Sequence, residues 1–391
     1  MKYFSAQYIF TNTGMPLKRG IIRTQDDGTI VGVEESEGKL EERHSIEFYN
    51  GIIVPGFINC HCHLELSYLK NEIEAGSGLP AFLAGVTSKR ESAKKDRYQA
   101  IKEADNEMFK GGVVLCADVC NTAASFKIKK ESKIRYINLL EVFGIDSSKA
   151  EKRMDEILEL AKTAEEMQLP YWIVPHSVYS VSSPLLRMIK ENTSSNKVTS
   201  VHFMESADEE TLLLSHSGPL MDSYKRFLPP FSGIEIPESH IKAITEEVTA
   251  SGNLILVHNT FAKKEQISQL KHRTGLYWCL CPNSNLYIEQ RMPPADLFNL
   301  ESKNILIGTD SLASNSSLSM INELKSIQLH FPDIRLETLI RWATINGALA
   351  LGEESTFGSI EPGKKPGLVL LKNVDLVNLK LQPDTIVSRL I

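Results

Sequence analysis

The 391-residue chain is predicted to be an α/β protein, a (β/α)8 TIM-type barrel with a small discontinuous β-sandwich domain built from both termini. Eight short β-like runs divided by helix-like spacers predict the barrel. Strand-like segments at both ends of the chain predict the second domain. The length agrees, since a barrel takes roughly 250 to 300 residues and leaves room for a satellite.

Residues 3 to 10, 20 to 24, 28 to 34 and 46 to 54 are short strand-like runs set apart by turn signals such as Asp26-Asp27-Gly28. Gly367-Leu368-Val369-Leu370-Leu371 and a run near Thr385-Ile386-Val387 resume the pattern at the C-terminal end. The termini are therefore expected to meet, with residues 1–54 and 354–391 forming the β-sandwich around a barrel of residues 55–353. The expected barrel strands are Ile58 to His63, Val113 to Asp118, Ile134 to Val142, Tyr171 to His176, Val198 to Met204, Leu254 to His258, Leu276 to Cys281 and Ile305 to Asp310. Glu151 to Gln168, Ser239 to Ser251 and Leu336 to Leu351 have helical patterning between or after them. Residues 208 to 238 exceed a minimal helix and loop, and the stretch from Phe227 to Gly233 is read either as a lid over the mouth or as an irregular surface excursion.

A hydrophobic fraction of 42% is ordinary for a globular enzyme. The formal charge of -6, with lysines and arginines scattered, gives no footprint for nucleic acid. No uncharged apolar run approaches the roughly 20 residues needed to cross a membrane, and the N-terminus alternates like a strand instead of carrying a signal-peptide core. Six cysteines without a secretion signal read as reduced thiols in the cytoplasm, and neither Cys60-x-Cys62 nor Cys279-x-Cys281 has the two-residue gap of a zinc knuckle. The expected partner is a small-molecule substrate, with no nucleic acid and no membrane; a homodimer stays open.

The most telling stretch is Ile52-Ile53-Val54-Pro55-Gly56-Phe57-Ile58-Asn59-Cys60-His61-Cys62-His63. Residues i and i+2 of a strand share a face, so His61 and His63 can offer two imidazoles to one metal ion while Cys60 and Cys62 point away. Three other strand-like runs end in polar residues: His202 followed by Glu205, His258, and Asp310. Barrel active sites gather at such C-terminal strand ends. Imidazoles and a carboxylate gathered at one mouth suit Zn2+, or alternatively Fe2+, and can leave an open position for water. Glu205 lies three residues after His202, so it reaches the mouth only if the backbone leaves the strand before it.

These residues resemble the amidohydrolase superfamily, specifically its chlorohydrolase and deaminase branch, which includes guanine, adenosylhomocysteine and aminofutalosine deaminases. The matching segments are Pro55 to Glu65, Pro175 to Ser180, His202-Phe203-Met204-Glu205-Ser206, Cys281 to Leu286, Gly308-Thr309-Asp310-Ser311, Ala343 to Ala348 and Phe357 to Gly367. The resemblance implies that His61, His63, His202 and Asp310 bind one divalent metal, that Glu205, His258 and Asp310 are catalytic, and that His176 faces substrate. Binuclear relatives carry a carboxylated lysine near strand four or a bridging acid. Residues 171–176 contain no lysine, and Glu141 is the only substitute bridge, so one metal is expected. Glu65 either shares the histidine face or turns outward into a salt bridge, and Arg291 either binds an anionic group or is a solvated loop residue. The Glu-Trp pair that contacts ribose in the nucleoside-type relatives is missing from Gly78-Leu79-Pro80-Ala81-Phe82-Leu83, which argues against a ribosylated substrate.

The implied reaction is metal-dependent hydrolytic deamination of a small aminated heterocycle, purine-like, pterin or aminofutalosine-type. A metal lowers the pKa of water from about 15.7 towards about 7, and the resulting hydroxide attacks the ring carbon with loss of ammonia. Asp310 takes the proton from water, Glu205 protonates the ring nitrogen, and His258 holds the water or polarises the developing oxyanion. His63-Leu64-Glu65 spells half of the nucleic-acid deaminase signature, but no P-C-x-x-C completes it. The rival readings keep the site and change the leaving group, to chloride or an opened cyclic amide, or make the protein a non-catalytic metal-binding barrel.

Overall fold

The computed structural model of the protein describes residues 1–36, 45–92, 95–227, 233–248 and 252–391. Fifteen strands are present among them: β1 (Lys2–Ile9), β2 (Leu17–Lys18), β3 (Ile21–Thr24), β4 (Ile30–Glu34), β5 (Ile46–Pro55), β6 (Phe57–Cys62), β7 (Val113–Cys120), β8 (Arg135–Val142), β9 (Tyr171–Pro175), β10 (Val198–Phe203), β11 (Asn253–His258), β12 (Leu276–Leu280), β13 (Ile305–Ile307), β14 (Leu368–Asp375) and β15 (Lys380–Arg389).

The middle of the chain forms two four-stranded parallel sheets, ordered β6-β7-β8-β9 and β10-β11-β12-β13. Their strands are near-continuous apolar runs because helices cover one face and packed side chains the other; every residue of β6, β7 and β10 is buried. The sheets approach each other at both edges. At one edge Ser177 bridges to His202, whose N–H donates to the His176 carbonyl at 2.8 Å. At the other, Cys62 bridges to Asp310, and the N–H groups of Thr309 and Asp310 both donate to the His61 carbonyl, at 2.9 and 3.0 Å. The helices between strands are amphipathic: Ala150–Glu166 buries Met154, Ile157, Ala161 and Ala164, a helical spacing.

The two termini do meet. One seven-stranded sheet runs β15-β14-β5-β1-β3-β4, with β2 added to β1. β5 pairs parallel with β1 and antiparallel with β14, so the C-terminal hairpin closes onto the last strand before the middle of the chain. Gly56 makes the step from β5 to β6, since a Cβ there would meet the Pro366 carbonyl oxygen at 2.7 Å and a Val114 methyl at 2.3 Å.

Several expectations need correction. The expected helix from Leu336 to Leu351 is two helices, Leu336–Trp342 and Ile345–Leu351, broken at Thr344, whose hydroxyl donates to the Ile340 carbonyl and accepts from the Asn12 amide at 2.8 Å. The expected helix 239–251 becomes His240–Lys242 and a π-turn, Ala243–Glu247, before residues 249–251, which lie outside the described residues. Residues 228–232 of the segment considered as a lid lie outside the described residues. No helix among the described residues is long and apolar enough to cross a membrane.

Gly308 follows β13 where that strand meets β6. A Cβ there would lie 2.7 Å from the His61 Cβ and 3.0 Å from the Cys281 sulfur, both fully buried. Gly308→Ala is therefore expected to lower stability by about 1–3 kcal/mol, the usual cost of forcing a methyl into a packed interior. A urea midpoint unchanged from that of the parent protein would contradict this packing.

Candidate metal centre and active site

His61, His63, His202, His258 and Asp310 converge at the C-terminal ends of the two sheets. The Nε2 atoms of His61 and His63 are 3.2 Å apart, and Asp310 Oδ1 lies 3.7 Å from the first and 3.6 Å from the second. The His202 ring stacks against His258 at a centroid distance of 5.0 Å and meets His61 edge-on at 4.8 Å. Three overlapping donor sets result, His61/His63/Asp310, His61/His202/His258 and His63/Glu141/His202, each with its ligand atoms within 4.8 Å of one another.

The donor chemistry fits a divalent cation. Burial, reinforced by the neighbouring rings, pushes the pKa of His61 well below the usual histidine range. Burial likewise lowers His63 and His258 to about 3, and His202 in the same direction. The imidazoles are thus neutral, with lone pairs to give. His202 Nδ1 donates to the His176 carbonyl at 2.7 Å, which fixes the tautomer and frees Nε2 for a ligand. His61 Nδ1 and His258 Nε2 are buried without a hydrogen-bond partner, an arrangement that costs free energy unless something else satisfies them. Asp310 Oδ2 accepts from the Ser284 and Ser314 hydroxyls, each at 2.6 Å, leaving Oδ1 to face the histidines. Burial pushes the Asp310 carboxyl up, but His63, His258 and the two hydroxyls outweigh it and hold the group at about 2.

Local backbone turns aim these side chains. Met204, His258, Asn259 and Asp310 all have left-handed φ values, of 50°, 75°, 59° and 56°. Non-glycine residues take this conformation at a cost of about 1–3 kcal/mol each, and it clusters at functional sites. β10 ends at Phe203 and the chain turns at Met204, so Glu205 points into the mouth as its proposed role requires. Glu205 Oε1 lies 3.6 Å from His258 Nε2, and the Tyr179 hydroxyl donates to Oε2 at 3.4 Å. Burial and the charge of Glu209 push the Glu205 pKa well above the carboxylate range. Glu209 itself accepts the N–H groups of Glu205 and Ser206 at 2.7 and 2.9 Å and pairs with His240 at 3.0 Å.

The remaining predicted residues fall into place differently. His176 lines the cavity, stacks on His202 at 4.4 Å, and hydrogen-bonds Ser180 at 2.7 Å; burial lowers its pKa to about 4. Glu141 also lines the cavity, 3.7 Å from His202 Nδ1. Glu65 neither joins the histidine face nor reaches solvent: the chain turns into a 3-10 helix at Leu64–Leu69, and the carboxylate accepts from Asn121 N–H and from Thr122 N–H and hydroxyl. Arg291 is exposed, stacked over Phe261.

Sequence reasoning missed the supports. Lys129 and Asp118, both with fully buried side chains, form an ion pair, and Asp118 accepts the Leu64 N–H at 2.7 Å just after His63. Lys129 also donates to Asn138 Oδ1 at 2.8 Å. Asn285 sits 3.1 Å from His258 Nδ1, and Glu323 holds the Asn283 backbone and side chain at 2.9 and 3.0 Å. The cavity above the centre has a volume of about 310 Å³, within the range of ligand sites, and is walled by Leu66, Leu79, Phe82 and Tyr179.

Lys129→Met would strand a buried carboxylate, and a loss of about 3–5 kcal/mol in chemical denaturation is expected; Asp118→Asn in the same chain should restore part of it. Stability should also depend on pH with a defined sign. His63, His176 and His258 have folded pKa values of about 3, about 4 and about 3 against an ordinary 6.5, so the unfolded chain binds more protons in that window. Chelator-treated protein is expected to lose urea resistance as pH falls from 6.5 towards 4, with no contribution from these rings at higher pH; a slope of opposite sign would mean the imidazoles are held charged.

Comparison with known proteins bears on the family and the fold. Residues 52–388 match the family model described as the amidohydrolase family. The adenosine deaminase of Helicobacter pylori is 27% identical over 333 residues, covering 82% of this chain and 79% of that protein. The aminodeoxyfutalosine deaminase of Nitratiruptor is 26% identical over 330 residues, with the same coverage of 82% and 79%. The crystal structure of Helicobacter pylori aminofutalosine deaminase in complex with methylthio-coformycin superposes with a TM-score of 0.80 at 23% identity, covering 98% of this chain and 94% of that one. With an α/β architecture of parallel sheets and a buried cluster of histidines and an aspartate at their C-terminal ends, the chain belongs to the amidohydrolase family.

Proposed function

We propose that the protein is a metal-dependent hydrolytic deaminase of a small aminated heterocycle. The observation that carries this reading is the division of labour between two buried carboxyl groups. Glu205 is kept protonated by burial and by Glu209, whereas Asp310 is kept ionised by its histidine and hydroxyl neighbours. Two carboxyls pushed apart in this way make an acid and a base in one cavity.

His61, His63, His202 and Asp310 would hold one divalent metal, Zn2+ as first choice with Fe2+ the alternative, since three imidazoles and a carboxylate suit both. When bound, the metal supplies Lewis acidity that makes water a competent nucleophile near neutral pH. Asp310 Oδ1 accepts the proton that water gives up. Glu205 donates its proton to the ring nitrogen next to the attacked carbon; the amino group leaves as ammonia once the proton on Asp310 has passed to it, and the proton of the added hydroxyl returns to Glu205 as the carbonyl forms. His258, neutral and beside Glu205, holds the water or the developing oxyanion. His176 faces the substrate from the cavity wall.

The two parallel sheets are read as halves of one closed (β/α)8 barrel, residues 55–353, with residues 1–54 and 354–391 as a small β-sandwich; the edge bridges at Ser177–His202 and Cys62–Asp310 support the closure. Six unpaired cysteines support a cytoplasmic location.

Ammonia release by Zn2+- and Fe2+-loaded protein, measured across aminated purines, pterins, nucleosides and aminodeoxyfutalosine, tests the reaction. Glu205→Gln is expected to retain metal and lose at least about 100-fold in kcat. His61→Ala is expected to lose both metal and turnover. Full activity in Glu205→Gln would refute the acid assignment. Chloride release from a halogenated ring, with no ammonia from any amine, would replace the deaminase with a chlorohydrolase, and inertness of the metal-loaded protein would leave a non-catalytic centre.

A further inference from the structure

Leu79, Phe82, Leu83, Val86, Thr87 and Arg90 of the helix Leu79–Ser92 all line the cavity. They stand at i, i+3, i+4, i+7, i+8 and i+11, so one continuous helical face forms the wall opposite the metal centre. The start of this face lies beside Glu289, whose carboxylate accepts the Leu79 N–H at 2.8 Å. Its end lies on the side of Glu141, where Arg90 donates to Asn121 Oδ1 at 3.2 Å and Asn121 donates in turn to Glu141. The wall is apolar up to Val86 and closes with a guanidinium.

That contact with Asn121 is the only side-chain hydrogen bond of Arg90 among the described residues, and none of their carboxylates lies within 4.0 Å of it. The acids around Asn121 are occupied: Glu65 by Asn121 and Thr122, Glu141 by Asn121. A guanidinium carries five N–H donors in a planar fork that matches a carboxylate. Here the fork stands at the wall of a cavity of about 310 Å³ with one amide partner.

We propose that the substrate carries a carboxylate on an apolar substituent, with the substituent lying along Leu79, Phe82 and Val86 and the carboxylate paired with Arg90. The identity of the ring rests on the deaminase reading above; the recognition of the anion does not. A monoanion is chosen over a phosphate because Glu65 and Glu141 both hydrogen-bond the same Asn121 that accepts from Arg90, and a dianion brought beside two carboxylates would meet net repulsion. Arg90 is then a specificity-determining residue that no sequence motif marks.

The test is calorimetric binding to zinc-loaded protein of three 6-oxopurines, which have no amino group to lose. They differ only at the end of a short alkyl arm, which carries a carboxylate, a carboxamide or a phosphonate. The carboxylate is expected to bind at least about tenfold more tightly than the carboxamide, as a charge-assisted bidentate pair would give. Arg90→Met should bring that ratio to about one, and Arg90→Lys should keep a reduced part of it. A ratio within one variant does not depend on how much of that protein folds. Equal affinities in the parent protein, a preference that survives Arg90→Met, preference for the phosphonate, or failure of all three to bind would each overturn the proposal. Should the ratio behave as expected while the amino counterpart of the carboxylated purine releases no ammonia, the deaminase reading falls and the Arg90 site stands.

Discussion

Removing four imidazoles from water at one end of the parallel sheets is the constraint on which the rest of the structure depends. His61 and His258 are wholly buried and His63 and His202 nearly so. In that environment a charged ring is penalised more than its neighbours can compensate, and the rings settle as neutral donors. Neutral imidazoles buried together need their nitrogens satisfied, and the backbone answers where it can: the His176 carbonyl takes the His202 N–H, and Asn285 meets His258. What the protein does not satisfy, His61 Nδ1 and His258 Nε2, lies within the cluster itself.

The backbone conformation around the cluster follows from the same demand. His61 and His202 project from within β6 and β10, while the residues that follow β10, end β11 and follow β13 reach the cluster only by a turn of the chain. Met204, His258 and Asp310 make those turns in left-handed conformations, and Asn259 secures the second of them by donating to the Leu256 and Cys279 carbonyls at 2.8 and 3.1 Å. The local strain is offset by hydrogen bonds that belong to the turns, such as those from Thr309 and Asp310 to the His61 carbonyl.

Buried charges outside the cluster serve geometry more than stability, since a buried ion pair gains little over an apolar replacement. The Asp118–Lys129 pair fixes the backbone immediately after His63. Glu209 fixes the turn that presents Glu205 and also adds the negative charge that keeps Glu205 protonated. Glu323, pushed up to about 8 by burial, ties down Asn283 next to the serine that hydrogen-bonds Asp310. Each acts through a neighbour: on the backbone after His63, on the turn at Glu205, and on the loop that carries Ser284.

The chain order by itself pointed to parallel strands alternating with helices and to the residues that gather at the candidate metal centre. Apolar runs that end in histidine or aspartate can be read locally, because strand periodicity and the preference of polar side chains for strand ends are properties of a few adjacent residues. His61, His63, His202, His258 and Asp310 all lie where those runs placed them, and the meeting of the termini followed from their strand-like composition. The turn before Glu205 was also required by its spacing, since an uninterrupted strand would have faced it away. Only the tertiary structure decided what surrounds these groups. The Ser284 and Ser314 hydroxyls on Asp310, the Glu209 carboxylate under Glu205, the burial of Glu65 against Thr122, and the guanidinium of Arg90 beside Asn121 join segments between 4 and 57 residues apart. Such contacts carry no local periodicity, and a serine, glutamate or arginine in those positions looks in the sequence like any solvated residue. Packing brings them together, and packing sets the dielectric and the charges that give each group its protonation state.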